Sequence, residues 1–127
     1  MHYNEISHYK DIKLEPDLEA YIALEKQGVL RVFTARANNG TLIGYAVYFI
    51  RRNLHYKSSL QAVQDILFLM PTHRGSGGRL IRYCDEELKK ENIQVVYHHI
   101  KAAHNFGPLL ERLGYQLVDL IYAKRLD

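Results

Sequence analysis

Apolar residues near the start of the chain recur at helical spacing. Leu14, Leu18 and Ile22 each follow the previous one by four residues, so they share one face of a helix. Pro16 lies where a first helical turn would be, and Gly28 lies just beyond the last turn. Proline at the start and glycine past the end are common helix boundaries, so the pattern predicts an amphipathic helix between them.

After Gly28 the residues become β-branched and aromatic, which predicts strands. Two such segments run from Val29 to Ala37 and from Thr41 to Arg51, separated by Asn38-Asn39-Gly40. An Asn-Gly pair tolerates positive φ, so we expect a hairpin closed by a two-residue turn. A third strand is predicted from Ala62 to Leu69, and its nearly continuous apolar character predicts burial on both faces.

The second half of the chain returns to helical spacing and then alternates again. The predicted elements are a helix over Gly77–Asn92, a strand over Ile93–His99, a short helix over Asn105–Leu113 and a final strand over Tyr115–Leu126. Strand, helix and strand in this order form a βαβ unit. The predicted fold class is α/β, a mixed sheet with helices on both faces.

A glycine-rich loop joins the third strand to the helix that follows it. The apolar run stops at Pro71, and Gly75, Gly77 and Gly78 follow within seven residues. Such a loop directs several backbone N–H groups to one point, and the new helix adds the positive end of its dipole. The sequence therefore predicts a site for a phosphorylated ligand here; the alternative is that the glycines only form a tight turn.

Composition limits the classes of function. With 127 residues, 47% hydrophobic and 24% charged, the chain has the size and composition of one soluble globular domain. The net charge of +3 favours an anionic ligand, but the basic residues are scattered, so nucleic acid is not expected as a partner. No apolar stretch is long enough to span a membrane, and no secretory signal is recognisable. The single cysteine, Cys84, fits a reducing compartment, so we expect a cytoplasmic protein.

From the hairpin to the final strand, the chain resembles the GNAT superfamily of N-acyltransferases. The family's glycine signature fits best when counted from Thr72, which places Gly75 and Gly77 on its two glycines. The segment Leu113-Gly114-Tyr115 resembles the family's Leu-Gly-Phe. The overall resemblance is to small members of the phage and prophage type. It implies one domain, residues 1–127, with a largely antiparallel sheet and a splayed parallel strand pair.

The resemblance also implies acetyl-CoA as cosubstrate. The pantetheine arm would lie along Phe68, Leu69 and Met70, and Asn105 would also contact the cofactor. The pyrophosphate would rest on the loop and helix start formed by Arg74, Gly75, Ser76, Gly77, Gly78 and Arg79. Two departures from the family are Leu110, at the position of its usual tyrosine acid, and the lack of a first strand in Met1–Ile12. A missing edge strand would leave the sheet open to a second copy, so a homodimer remains open.

Four residues are the candidates for catalysis. Asp65 lies in an otherwise apolar strand, so we expect it to be a buried carboxylate with a raised pKa, suited to act as a base or to pair structurally. His55 and Tyr56 lie in the connection through which similar folds admit the acceptor. Tyr122 could replace the acid missing at Leu110. The histidines show no metal-ligand spacing, so no metal is expected.

The predicted function is transfer of an acetyl group from acetyl-CoA to a primary amine, by direct attack. The acceptor would be a small amine or a peptide amine, which the sequence does not identify. Two alternatives remain: an inactive acyl-CoA-binding regulatory module, and a site for a nucleotide or another phosphate. Against the second, the loop lacks the Lys-Ser/Thr ending of a P-loop.

Overall fold

The structure is a computed structural model that describes residues 18–52, 58–100 and 105–127. In chain order the elements are α1 (Leu18–Lys26), β1 (Leu30–Arg36), β2 (Leu42–Arg52), β3 (Leu60–Leu69), a 3₁₀ segment (Pro71–Ser76), α2 (Gly77–Lys90), β4 (Val95–Tyr97) and α3 (Gly107–Arg112). The strands form one sheet in the order β1-β2-β3-β4. Antiparallel pairing joins the first three strands, and β4 runs parallel to β3, which confirms the predicted mixed sheet.

The loop between β1 and β2 differs from the predicted two-residue turn. The Gly40 N–H donates to the Ala37 carbonyl at 2.9 Å, and the Ala37 N–H donates to the Thr41 carbonyl at 2.9 Å. Of the three residues between Ala37 and Thr41, only Gly40 has a positive φ, of 89°. The hairpin is therefore closed by a three-residue loop in which a turn is followed by a left-handed glycine, and the asparagines need no strained backbone.

A β-bulge changes which residues of β3 face the core. Tyr48 pairs with Gln64 and Val47 pairs with Ile66, so Asp65 is the extra residue. Successive side chains of a strand alternate between faces, and an extra residue shifts that alternation by one. The shift explains why Ala62 and Leu69, seven positions apart, belong to the same buried cluster.

Helix α2 packs its apolar stripe onto this face of the sheet. The buried residues of the helix include those predicted from its spacing, namely Leu80, Ile81, Cys84 and Leu88. Of these, Leu80, Cys84 and Leu88 join Ala46, Tyr48, Ala62 and Leu69 in the main core. Complete burial of Leu88 and Ile81 contributes about 1.5–3 kcal/mol for each side chain.

Two predicted strands are corrected by the structure. The strand after α2 pairs only over Val95–Tyr97 rather than over residues 93–99. The predicted final strand is wrong, because residues 115–127 form no ladder and residues 116–127 are exposed. The N-terminal residues that bear on the missing first strand lie outside the described ranges. Among the helices in those ranges, none is long and apolar enough to cross a membrane.

Candidate functional site

The parallel strands β3 and β4 part early. Their last paired residues are Val63 and Tyr97, yet β3 continues to Leu69. In the described part of the sheet, the six residues Gln64–Leu69 therefore have no strand beside them on the β4 side. The splayed strand pair is thus present, and its open end points toward the 3₁₀ segment and the start of α2.

Hydrogen bonds from side chain and backbone fix the conformation of β3 where the gap begins. Gln64 is 8% exposed, and in the amide orientation that satisfies both of its ends, its Oε1 accepts from the N–H groups of Ile66 and Leu67 at 3.3 and 3.1 Å. The Met70 N–H donates to the Ile43 carbonyl on the other side, at 2.7 Å. Of the three predicted edge residues, Met70 therefore has its N–H engaged with β2.

Beyond β3 the chain turns through the 3₁₀ segment and enters α2 without a side-chain cap. The His73 N–H donates to the Met70 carbonyl at 2.8 Å and closes the first turn. Ser76 is the N-cap residue of α2 but makes no side-chain capping bond, and the first turn carries no acidic residue. No side chain therefore caps this end of α2, and its first N–H groups lie at the positive end of the helix dipole.

The glycines of this turn have different roles. A Cβ added to Gly75 would meet nothing within 4 Å, so this residue borders open space. A Cβ at Gly77 or Gly78 would lie 3.4 or 3.3 Å from the side chain of Leu109 in α3. The last two glycines therefore allow α3 to pack closely against α2, while Gly75 leaves room beside the open helix end.

A buried polar cluster lies on the α2 side of the sheet, close to where β4 ends. The ring of His98, which follows β4, packs edge-on against Tyr48, Phe106 and Tyr115, with centroid separations of 5.8, 6.2 and 5.0 Å. Both ring nitrogens of His98 are buried, and neither bonds to any described residue; the same is true of the Tyr48 hydroxyl. Each unsatisfied buried group costs about 1–3 kcal/mol, so His98 and Tyr48 offer donors and acceptors to any group that enters.

Burial also controls the charges in this cluster. The Tyr115 hydroxyl donates to Asp85 Oδ1 at 2.6 Å. Burial raises the pKa of Asp85, and the hydrogen bond from Tyr115 opposes that rise. Burial raises the pKa of the Cys84 thiol to about 12 and also raises the pKa of Tyr48. For His98, burial and to a smaller extent the neighbouring His99 lower the pKa to about 4, so its ring is neutral at pH 7.

The lowered pKa of His98 makes the stability of the fold depend on pH. An unfolded histidine binds a proton near pH 6.5, whereas folded His98 does so only near pH 4. As pH falls through this window the unfolded state gains protons first, so the free energy of unfolding should fall by up to about 3 kcal/mol. His98→Phe keeps an aromatic ring in the cluster and removes the titration. Urea unfolding at pH 7.0 and 4.5 should show a smaller loss for His98→Phe than for the wild type; equal losses would contradict the assignment.

Known structures share this arrangement of strands and helices, although no protein-family model and no curated protein matches the sequence. Glucosamine-6-phosphate N-acetyltransferase from Arabidopsis thaliana superposes with a TM-score of 0.71 at 11% identity, over 86% of this chain and 76% of that one. A predicted acetyltransferase with acetyl-CoA from Clostridium acetobutylicum gives 0.67 at 18% identity, over 91% and 80%. An aminoglycoside acetyltransferase from an uncultured soil metagenomic sample, in complex with sisomicin, gives 0.64 at 18%, over 91% and 79%.

The chain has the GNAT fold. The resemblance drawn from the glycine loop and from Leu113-Gly114-Tyr115 is therefore confirmed at the level of fold. Within the GNAT fold of this protein, β3 leads through the 3₁₀ segment into α2, and β4 follows α2.

Of the four predicted catalytic residues, the structure describes Asp65 and Tyr122, and both are exposed. Asp65 is exposed at the bulge, so the prediction of a buried carboxylate is wrong; the bulge places it with residues of the sheet face opposite α2. Tyr122 is 92% exposed in the C-terminal segment. His55 and Tyr56 lie outside the described residues. Arg79, in the first turn of α2, is exposed beside the open helix end.

Two further residues considered from the sequence lie in or next to α3. Asn105 uses its side-chain Oδ1 to accept from the Gly107 N–H at 2.8 Å, which holds the start of α3. Leu110 is 5% exposed and belongs to the core, so this position supplies packing rather than a phenol. Among the described His, Cys, Asp and Glu side chains, no group of three is placed to hold a metal ion.

Sequence reasoning missed Tyr48 and Asp85 as members of a polar cluster. Tyr48 lies in a run of strand residues with no polar neighbour to mark it, and Asp85 lies in a helix rich in charge. A weak signal was present in the helix, since Asp85 directly follows Cys84 on the edge of the apolar stripe. A carboxylate at the border of a buried face often has a fixed partner.

Proposed function

We propose that the protein is a cytoplasmic acetyl-CoA-dependent N-acetyltransferase that transfers the acetyl group to a primary amine by direct attack. The observation that carries the proposal is the parting of β3 and β4 immediately before an uncapped helix N-terminus. A gap between strands suits an extended thiol arm, and open amides at a positive dipole end suit a diphosphate. The named acetyltransferases among the structural neighbours, one of them with acetyl-CoA, support the same assignment.

In this proposal the cofactor is held mainly by the backbone. The pantetheine arm lies along β3 at Phe68 and Leu69, beyond the last residues that pair with β4, and the diphosphate rests on amides between Arg74 and Arg79. One charge at a helix end contributes about 0.3–1 kcal/mol, so several amides must act together. Arginine adds charge-assisted hydrogen bonds to phosphate, and Arg79, exposed in the first turn of α2, would supply them.

The chemistry requires the amine to lose a proton before its nitrogen attacks the thioester carbonyl. A backbone N–H on the edge of β3 would stabilise the oxyanion that forms. Asp65, at the bulge where the strands part, and His55 and Tyr56 are the proposed candidates for the base or its water relay. With Leu110 in the core, the thiolate of coenzyme A would take its proton from water.

Calorimetric titration with acetyl-CoA tests the binding step, and release of free thiol in the presence of amines tests the transfer. We expect saturable heat, followed by thiol release with at least one member of a panel of polyamines, amino acids, peptides and aminoglycosides. The last class is included because one structural neighbour is an aminoglycoside acetyltransferase with sisomicin. Absence of heat at millimolar acetyl-CoA would refute the proposal. Binding without turnover by any amine would instead indicate an acyl-CoA-binding module.

A further inference from the structure

Three polar side chains form a row across the sheet at the closed end of the gap, where β3 and β4 last pair. Tyr48 of β2 pairs with Gln64, the first residue of β3 beyond that last pair. His98 is the first residue beyond the pair on the other strand, and its ring lies 5.8 Å from the Tyr48 ring, centroid to centroid. Paired residues share a face of the sheet, so the row lies on the α2 side, in a core that is otherwise apolar.

Two members of this row carry hydrogen-bonding groups that no described residue uses. Tyr48 is fully buried, and neither its hydroxyl nor either ring nitrogen of His98 bonds to the described part of the chain. The Cys84 thiol lies beside the hydroxyl, but a thiol is a weak donor and a weak acceptor. Buried polar groups of folded proteins are nearly always paired, so two unused groups side by side in an apolar core indicate a place that receives a polar partner.

The pantetheine arm of the proposed cofactor is long enough to reach this row. Between the diphosphate and the sulfur it has about twelve skeletal bonds, as many as four residues of backbone, so it spans roughly 14 Å when extended. The start of α2 adjoins the end of β3, since a Cβ on Gly77 would lie 3.6 Å from Leu69 Cδ1. Four residues back from Leu69 is Asp65, which follows Gln64 directly. An arm that runs along β3 from the α2 N-terminus therefore carries its sulfur to the closed end of the gap.

We propose that Tyr48 and His98 bind the sulfur and donate hydrogen bonds to the coenzyme A thiolate as it leaves. This inference rests on the proposed function and deepens it. In the reaction the amine nitrogen bonds to the carbonyl carbon, the C–S bond breaks, and the electron pair of that bond goes to sulfur. The proton that the amine loses goes to the base or its water relay. The two hydrogen bonds stabilise the charge on sulfur until a proton from water reaches it.

Burial determines why these groups act as hydrogen-bond donors rather than as acids. It raises the pKa of Tyr48, so the phenol keeps its proton, and it lowers the pKa of His98 to about 4, so the ring is neutral and has one N–H. Neither group therefore gives up a net proton at pH 7. Their hydrogen bonds are weak to the neutral thioester sulfur and stronger to a thiolate, so they should accelerate the chemical step without tightening acetyl-CoA binding.

Tyr48→Phe removes only the hydroxyl and tests this role. Its kcat, measured by thiol release, should fall at least tenfold, because a hydrogen bond to a charged group changes a rate by roughly 10- to 100-fold. Its affinity for acetyl-CoA should stay within about twofold of the wild type. Its urea midpoint should equal or exceed that of the wild type, because an unpaired buried hydroxyl is lost. An unchanged kcat would overturn the proposal.

Tyr83→Phe is the matched control, because it removes the same atom from a tyrosine that is 51% exposed on α2. Its kcat, its affinity for acetyl-CoA and its urea midpoint should all stay at the wild-type values. If Tyr83→Phe lost as much kcat as Tyr48→Phe, the loss would not report on the buried row, and the proposal would fail.

A second measurement needs neither turnover nor a variant. The ¹⁵N signals of the His98 ring are followed in the wild type while acetyl-CoA or ADP is added, since ADP has the diphosphate without the arm. Acetyl-CoA should shift the His98 signals, and ADP should leave them in place. Calorimetric heat from acetyl-CoA with no shift at His98, or equal shifts with both ligands, would refute this inference and leave the proposed function standing. Absence of heat would refute both.

Discussion

Ser76→Asp is expected to bind acetyl-CoA at least tenfold more weakly than the wild type while unfolding at the same or a higher urea concentration. Ser76 is the N-cap of α2 and makes no capping bond, and aspartate is among the best capping residues. A negative charge at this helix end also interacts favourably with the dipole, by about 0.3–1 kcal/mol. The substitution should therefore stabilise the fold and weaken only the binding of an anion at the N-terminus of α2.

The size of the effect on binding follows from charge repulsion. Two unit charges about 4 Å apart near a protein surface interact by roughly 4 kcal/mol, and a tenfold change in affinity needs about 1.4 kcal/mol. Calorimetric titration measures the affinity, and urea unfolding measures the stability. The matched control is Ser76→Asn, because asparagine has the shape of aspartate without its charge. This variant should bind acetyl-CoA within about threefold of the wild type. Equal affinities for the Asp and Asn variants would place the diphosphate elsewhere.

The elements that depend on local pattern could be predicted from the sequence. The stripe formed by Leu80, Ile81, Cys84 and Leu88 defines α2, and all four residues are buried. The β1–β2 hairpin follows from two β-branched segments around Asn38-Asn39-Gly40. The sequence also indicated the splayed pair, because a glycine loop between a buried strand and a helix is typical of the GNAT fold.

The position of Asp65 could not be predicted, because a bulge leaves no trace in a strand that is apolar on both faces. The residues around it, Ile66 to Met70, give no alternation from which a shift could be detected. The extra residue is set by pairing with β2, since Val47 and Tyr48 fix the register on either side. A carboxylate predicted to be buried is therefore exposed.

The C-terminal segment and the polar cluster show a second limit of sequence reasoning. Residues 115–126 have the composition of a strand, but a ladder needs a partner that composition does not supply. Tyr48 and His98 are fifty positions apart and meet only because β2, β3 and β4 are neighbours in the sheet. Local spacing carries no information about such contacts.

Gly44→Ala should destabilise the fold by about 3 kcal/mol, near the upper end of the usual cost of overpacking. Gly44 pairs with Leu69 at the end of β3, and an added Cβ would lie 2.5 Å from the Phe68 carbonyl oxygen and 2.5 Å from Leu69 Cδ2. A side-chain tip can move aside, but a backbone oxygen in a ladder cannot, so β2 and β3 must separate.

The same displacement should weaken acetyl-CoA binding, because Phe68 and Leu69 form the proposed edge for the pantetheine arm. Urea unfolding and calorimetric titration measure the two effects on one sample. Gly75→Ala is the matched control for stability: its Cβ would meet nothing within 4 Å, so the change should be neutral or stabilise by about 0.4–1 kcal/mol. If Gly44→Ala unfolded at the wild-type urea concentration, the close approach of β2 and β3 at this end would be refuted. If it lost stability but bound acetyl-CoA normally, the edge at Phe68 and Leu69 would not be where the cofactor lies.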